Sequence, residues 1–446
     1  MIYKTLATIS LVLALTSAPA KALEVELVQG TNVDAWLAAD PTIPVVAIAF
    51  RIEGGAAADP PELQGRTRLL ADMLSEGAGE MDGPTFKARL ADLSSSMSFT
   101  ATQDAISGSI YTLSKNLREA AKILGLALTK PRLDPADLER VRTLHVTSLE
   151  QASENPTHQA YRAFLSNAFQ NHPYARSSRG RISTLKKITR EDLLALHEER
   201  FGQDRLIVTA AGDVTANELK NIIDYAFGEI PKNAPGAPTD PPSVSSPQGP
   251  SRLLVKMPNP QSSIVFGGPG VRRNDPDWHA TNLLAEIMGG GFGARLMEEV
   301  RVKRGLVYGI DVSNSELAEA ALFLGSTSTE NRTVKETISV IETEWAKMSA
   351  EGPTEKELAD AKSFLIGSLP LALDSTTAIA SALLSMRVNN LPTDYLERRN
   401  SQINSVTIAD AKRLASRLFD PSKLTFAVAG SGEGLEQWNA VPRSDN

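Results

Sequence analysis

Met97, Phe99 and Ala101 alternate with Ser96, Ser98 and Thr100, the period-two pattern of a strand with one buried face. Residues 45–52 form a second strand candidate, and residues 106–111 are the expected hairpin partner of the alternating run. Leu117, Ala121, Leu124 and Leu128 then recur at helical spacing, with Ser114 ahead of them as the expected cap. Strands come first, helices follow, and a final strand closes the unit near residue 212. That order predicts an α+β fold whose sheet carries helices packed on one face.

The pattern occurs twice. Residues 188–212 (ITREDLLALHEERFGQDRLIVTAAG) align without a gap on residues 406–430 (VTIADAKRLASRLFDPSKLTFAVAG), at an offset of 218. Thr189 matches Thr407, Asp192 matches Asp410, Phe201 matches Phe419 and Leu206 matches Leu424. Each threonine is placed to cap an amphipathic helix, and each helix leads into a β-rich run ending in Ala-Gly. A second pair, residues 134–138 and 354–358, opens helices at an offset of 220. Two pairs at nearly one period predict a duplicated unit, each copy a mainly antiparallel sheet. Residues 231–250 hold seven prolines in twenty positions and read as an extended linker between the copies.

The first residues predict export. Met1 to Lys4 is a short positive start, residues 6–16 are apolar, and Ala20 and Ala22 are small residues suited to cleavage after Ala22. Ala18-Pro19-Ala20 offers a second cleavage site. The other reading is an uncleaved anchor, but the run is shorter than the roughly 20 apolar residues that span a bilayer. The expected organisation is a leader over 1–22, a first domain over 23–230, the linker over 231–250 and a second domain over 251–446. The mature protein is expected to be periplasmic if its source is a Gram-negative bacterium, with no membrane contact after cleavage.

Composition narrows the chemistry. The chain has 446 residues, 42% hydrophobic and 22% charged, and a formal net charge of -7. No basic excess is available for nucleic acid. There is no cysteine, which removes disulfides, thiolate metal sites and cysteine nucleophiles together. None of the five histidines pair at the i, i+4 spacing that puts two imidazoles on one helix face, so a self-sufficient zinc site is not expected. His197, in His-Glu-Glu-Arg, reads as a solvated surface residue.

Two features of the second half stand out. Gly289, Gly290, Gly291 and Gly293 form the densest glycine cluster, between a helix ending near Met288 and another expected over 294–300. These glycines serve equally as a helix stop or as a strip that lets another backbone approach. Arg301 and Tyr308 follow; a guanidinium and a phenol so spaced can donate to one peptide carbonyl or its oxyanion. The plainer alternative is a basic helix end beside a structural tyrosine.

Residues 283–308 (LLAEIMGGGFGARLMEEVRVKRGLVY) resemble the C-terminal half of insulinase/pitrilysin zinc metallopeptidases, which include the mitochondrial processing peptidases. Arg301 and Tyr308 match that family's Arg-x6-Tyr pair. His172-Pro173-Tyr174, Gly180 and Asp394-Tyr395 add further marks, and the resemblance extends over residues 23–432. It implies that Arg301 and Tyr308 bind substrate and steady the reacting carbonyl, with Gly290 and Gly291 near the substrate path.

The departure lies in the first half. Where active members carry His-x-x-Glu-His, this chain reads Arg68-Leu-Leu-Ala71-Asp72, with Met73 and Gly77 holding register. Arg68 and Asp72 stand at the histidine positions and Ala71 at the general-base glutamate. The third ligand would fall within 148–150. An arginine at a ligand position puts a fixed positive charge where a cation should bind. The resemblance therefore implies no metal in this chain, and zinc in a homologous partner subunit. That partner would act on a peptide or unfolded polypeptide, with Arg301 and Tyr308 supplied in trans. A non-enzymatic scaffold and a stand-alone peptide-binding pseudoenzyme are the alternatives.

Overall fold

The computed structural model describes residues 24–236, 241–244 and 250–444. The expected leader over 1–22 and both cleavage sites therefore lie outside the described residues. The described parts of 231–250 contain neither helix nor strand.

Fourteen strands are described. In the first half they are β1 (Glu26–Val28), β2 (Ala35–Ala39), β3 (Val45–Glu53), β4 (Gly77–Ala78), β5 (Met81–Asp82), β6 (Ser96–Ala101), β7 (Ala105–Leu113) and β8 (Leu206–Gly212). In the second they are β9 (Arg252–Lys256), β10 (Gln261–Pro269), β11 (Val307–Glu316), β12 (Ala321–Glu330), β13 (Thr425–Gly430) and β14 (Asn439–Ala440). The first half's main helices are α1 (Arg66–Met73), α2 (Gly83–Asp92), α3 (Leu117–Thr129), α4 (Pro135–Ser153), α5 (Pro156–Ala168), α6 (Ile182–Leu185), α7 (Arg190–Arg200) and α8 (Ala216–Phe227). The second half adds α9 (Trp278–Gly289), α10 (Val334–Glu351), α11 (Glu355–Gly367), α12 (Leu369–Ala372), α13 (Thr376–Val388), α14 (Tyr395–Ser405) and α15 (Ile408–Leu418).

The strand orders are β1-β2-β8-β3-β7-β6 and β11-β12-β10-β13-β9-β14. Read from the parallel pair outward, β2-β8-β3-β7-β6 and β9-β13-β10-β12-β11 follow the same path, so the duplication is real in three dimensions. Only β2–β8, β13–β9 and β14–β9 are parallel. Edge strand β6 thus corresponds to edge strand β11. Each copy also repeats an aromatic–glycine pair across neighbouring strands. Phe50 lies opposite Gly108 and Phe266 opposite Gly325. A Cβ on either glycine would sit 2.4 or 2.2 Å from the facing ring, so only glycine lets the ring lie flat over the strand.

Local chemistry starts the helices as expected in most places. Thr189 and Asp192 form a reciprocal capping box at α7, and Thr407 and Asp410 form its copy at α15. Thr354 and Glu357 cap α11 in the same way. Ser114 does not cap. It opens a single tight turn, α3 begins at Leu117, and the buried Ser114 hydroxyl has no partner.

Each sheet carries its own helices on one face. Val46, Ile48, Phe50 and Ile52 point from β3 into that core, each no more than 1% exposed. The opposite face is not left to water: it is covered by a helix of the other half. Ala38, Ala47, Ala49 and Ala211 make a smooth floor on which α13 sits through Ala380 and Leu383. Thr209 donates to the Ala380 carbonyl at 2.8 Å across this contact. Reciprocally, α5 lies on β9, β10 and β13, packing Ala160 and Phe164 against Ala427 and Ala429. The two halves therefore exchange a helix each.

Candidate functional site

The first-half corner is built by α1, α4 and edge strand β6. α1 starts at Gly65, whose φ of 97° and closeness to Gly180 (2.8 Å for an added Cβ) leave no room for a side chain. Gly180 is thus a packing residue for the start of α1. One turn on, Arg68 Nε meets Asp72 Oδ2 at 3.0 Å, and His145 of α4 meets the same oxygen at 2.6 Å. Arg68 also reaches Thr100 on β6 at 3.4 Å. Burial acts against the Asp72 charge, but the bonds from His145 and Arg68 outweigh it and hold the carboxyl below its ordinary value. Ala71 is fully buried. Of the third-ligand stretch, Ser148 is hydrogen-bonded by Arg179 and Glu150 is exposed.

These residues do not fit a zinc ion. The Asp72 carboxylate is taken by two cationic or donor groups, Arg68 cannot lose its proton, and Ser148 is taken by Arg179. Among the described residues no group of three or more His, Cys, Asp or Glu side chains is placed to hold a metal. His145 was assigned no part from the sequence, being 73 residues from Asp72. Its signal is its place one turn before Ser148 on α4.

The second-half site is built differently. α9 ends in the glycine run, and the chain then rewinds as a π-turn over Met297–Val302, with Lys303 N bonded to Glu298 O at 2.9 Å. The regular helix expected over 294–300 is therefore a helix start at Arg295 widened into π geometry, an arrangement frequent at functional sites. Arg301 lies in this turn. Its guanidinium stands 5.3 Å from the Phe292 ring centre and 5.1 Å from that of Tyr308. It also donates to Met297 Sδ at 3.9 Å. Tyr308 is 89% exposed and Phe292 80% exposed. The β11–β12 register slips between Val307 and Ile310, a bulge that turns Tyr308 out of the ladder.

The glycines divide between the two roles. A Cβ on Gly289 would lie 2.5 Å from Val312 N, so Gly289 lets α9 close on β11. On Gly290 it would lie 2.1 Å from the Glu286 carboxylate, whose pKa burial pushes up. Gly291 meets only Glu286 Oε1 at 3.8 Å and Gly293 meets nothing. Gly289 and Gly290 are packing positions; Gly291 and Gly293 border open space.

Three shallow cavities link the two regions. The first holds Tyr308 and Asp311, the second shares Asp311 and Thr157 with it, and the third shares His158 and Tyr161 with the second and reaches Arg179. His197 is half-buried, not a solvated group: it bonds the Leu128 carbonyl at 2.7 Å, its ring lies tilted 4.4 Å from that of Phe201, and burial lowers its pKa. The His172-Pro173-Tyr174 stretch is structural too. Tyr174 donates to Asp104 at 2.6 Å and accepts from Glu319 N at 3.2 Å, tying the halves together.

Two family profiles match the chain: "Insulinase (Peptidase family M16)" over residues 35–181 and "Peptidase M16 inactive domain" over residues 187–365. A Helicobacter pylori protein named non-peptidase homolog YmxG is 24% identical over 387 residues, covering 86% of this chain and 88% of its own. The probable mitochondrial-processing peptidase subunit beta of Schizosaccharomyces pombe is 21% identical over 421 residues, covering 91% and 90%. The crystal structure of a peptidase M16 inactive domain from Pseudomonas fluorescens matches with a TM-score of 0.85 at 25% identity, over 95% of this chain and 100% of that one.

Proposed function

The chain belongs to the insulinase (M16) peptidase family, and we propose that it is the non-catalytic, substrate-binding subunit of an exported two-chain metallopeptidase. Its first-half corner is a self-paired cluster in place of a metal site. Its second half presents Arg301 and Tyr308 to a homologous zinc-bearing partner. The observation that carries this reading is the state of Arg301: exposed aromatic faces hold it, and among the described residues no carboxylate pairs with it. A relative named as a processing peptidase subunit supports a two-chain arrangement.

In the assembled site the partner's zinc would polarise the scissile carbonyl and activate water. This chain's part is to bind and orient. Tyr308 donates its hydroxyl proton to the developing oxyanion, and the Arg301 fork holds a peptide carbonyl. Phe292 and the Tyr308 ring keep the guanidinium in place. Gly291 and Gly293 leave room for the substrate backbone.

The test is reconstitution. The purified chain is expected to hold no stoichiometric zinc and to cleave no peptide. Peptide cleavage is expected to appear when it is mixed with a similar chain carrying His-x-x-Glu-His. One tightly held zinc per chain, or cleavage by the chain alone, overturns the reading. Export is checked by N-terminal sequencing of periplasmic material, expected to begin at Leu23 or close to it. A second reading, a peptide-binding pseudoenzyme acting alone, draws on the linked cavities between Tyr308 and Arg179. Tight polypeptide binding without any partner, weakened by Tyr308→Ala, favours it.

A further inference from the structure

The face of the first sheet that receives α13 changes character along β3. Ala47 and Ala49 lie flush under the helix, but the next residues on that face are Arg51 and Glu53. Here α13 and the sheet part, and a cavity of about 690 Å³ opens between the halves. Its far wall is the end of β11 and the segment following β10. The volume lies within the range of small-molecule sites, about 300–1,000 Å³.

Most charges here are accounted for. Arg272 pairs with Glu319 at 3.6 Å, and Arg273 lies over the rings of Trp278 and Tyr395 at 4.9 and 4.7 Å. Asp104 accepts from Tyr174 and from Ala318 N, and Glu53 is exposed. Two groups remain. Arg51 Nε and Glu316 Oε1 are buried and have no hydrogen-bond partner among the described residues. Buried polar atoms are rarely left unpaired, least of all on charged groups. Arg273 and Arg272 act on the Glu316 carboxylate and the Arg273 backbone N–H bonds it, yet burial outweighs them and raises its pKa, and Oε1 is left over.

One occupant satisfies both: a molecule with an anionic and a cationic end. The remaining lining gives its class. Asn389 and Asn390 supply amides, Ser107 supplies a hydroxyl, and Leu384 and Val388 supply small apolar patches. No aromatic side chain lines the cavity among the described residues, so nothing there stacks a planar ring. We propose that this cavity binds a short zwitterionic peptide, its carboxylate on Arg51 and its ammonium on Glu316. The site is separate from Arg301 and Tyr308, and its failure leaves the subunit reading untouched.

The test is calorimetry on the full chain with trialanine, N-acetyl-trialanine, trialanine amide and inorganic phosphate. Trialanine is expected to bind, and blocking either end to weaken binding at least tenfold. Arg51→Met is expected to abolish the preference for a free carboxylate, and Glu316→Gln the preference for a free amine, with both variants folded by circular dichroism. Phosphate binding that depends on Arg51, without trialanine binding, would mark a plain anion site and overturn the proposal. So would equal binding of free and blocked peptides, or no binding at millimolar concentration. If either variant does not fold, the blocked-end series on the unaltered chain decides alone.

Discussion

The two halves share a strand path and a capping pattern, yet treat their arginines in opposite ways. In the first half Arg68 is bound to Asp72, Asp72 is bound again by His145, and Arg179 closes on Ser148. In the second half Arg301 has two aromatic faces and, among the described residues, no carboxylate partner, and its neighbours Phe292 and Tyr308 are among the most exposed large side chains described. Satisfied charges tie α1 to α4, the job a shared metal ligand set would otherwise do. Unsatisfied ones stand where another molecule can reach them. The difference separates a corner that holds the fold from a corner that offers binding energy.

The comparison is sharpened first by removing Asp72. Asp72→Ala leaves Arg68 and His145 facing each other without their shared anion. Hydrogen bonds to charged groups contribute about 1.5–3 kcal/mol, so a loss of about 2 kcal/mol is expected in chemical denaturation. A loss below about 0.5 kcal/mol would show that the corner holds nothing.

Acid gives a second, smaller test of the same corner. The folded Asp72 carboxyl is held below its ordinary value of 3.8, so it binds protons less readily folded than unfolded. Its contribution is present above about pH 4 and is lost as pH falls through the depressed folded value. The stability gap between the native chain and Asp72→Ala is therefore expected to be constant from pH 7 to 5 and to close below that. A gap that widens on acidification has the wrong sign.

The smallest effect is expected on the other side. Arg301→Ala removes a half-buried group with no carboxylate partner among the described residues, Phe292→Ala an exposed one, and changes away from the core stay within about 0.5 kcal/mol. Unfolding midpoints should be nearly unmoved. A loss matching that of Asp72→Ala would make the Phe292–Arg301–Tyr308 stack a structural element and erase the contrast.

What the sequence made legible was mostly local. Thr189 and Thr407 sit three residues before their acidic partners, so the caps and the repeat could be read directly. Arg68 and Asp72 are one helical turn apart, and the loss of ligand chemistry there needed no tertiary knowledge. The rest depends on contacts distant in sequence. His145 meets Asp72 only because α1 and α4 cross. The helix exchange was hidden because Ala47 and Ala49 look the same on any half-buried strand, while their meaning is a floor smooth enough for α13. The Phe50–Gly108 pair and its copy Phe266–Gly325 carry the duplication as clearly as the caps, yet each member is ordinary alone. Ser114 misled because a serine before an apolar run caps only if the helix starts beside it.

The central claim is that the exposed corner works on a substrate in a partner's site, and Tyr308→Phe tests it most directly. The change keeps the ring over Arg301 and removes one hydroxyl, so folding and pairing should be preserved. Loss of a single oxyanion donor typically lowers kcat by about 10²–10³. In the reconstituted pair with a zinc-bearing chain, the account predicts a kcat reduced by that order, with assembly and unfolding midpoint unchanged. An intact complex that cleaves peptide at the unaltered rate with Tyr308→Phe would contradict it and leave the chain a scaffold.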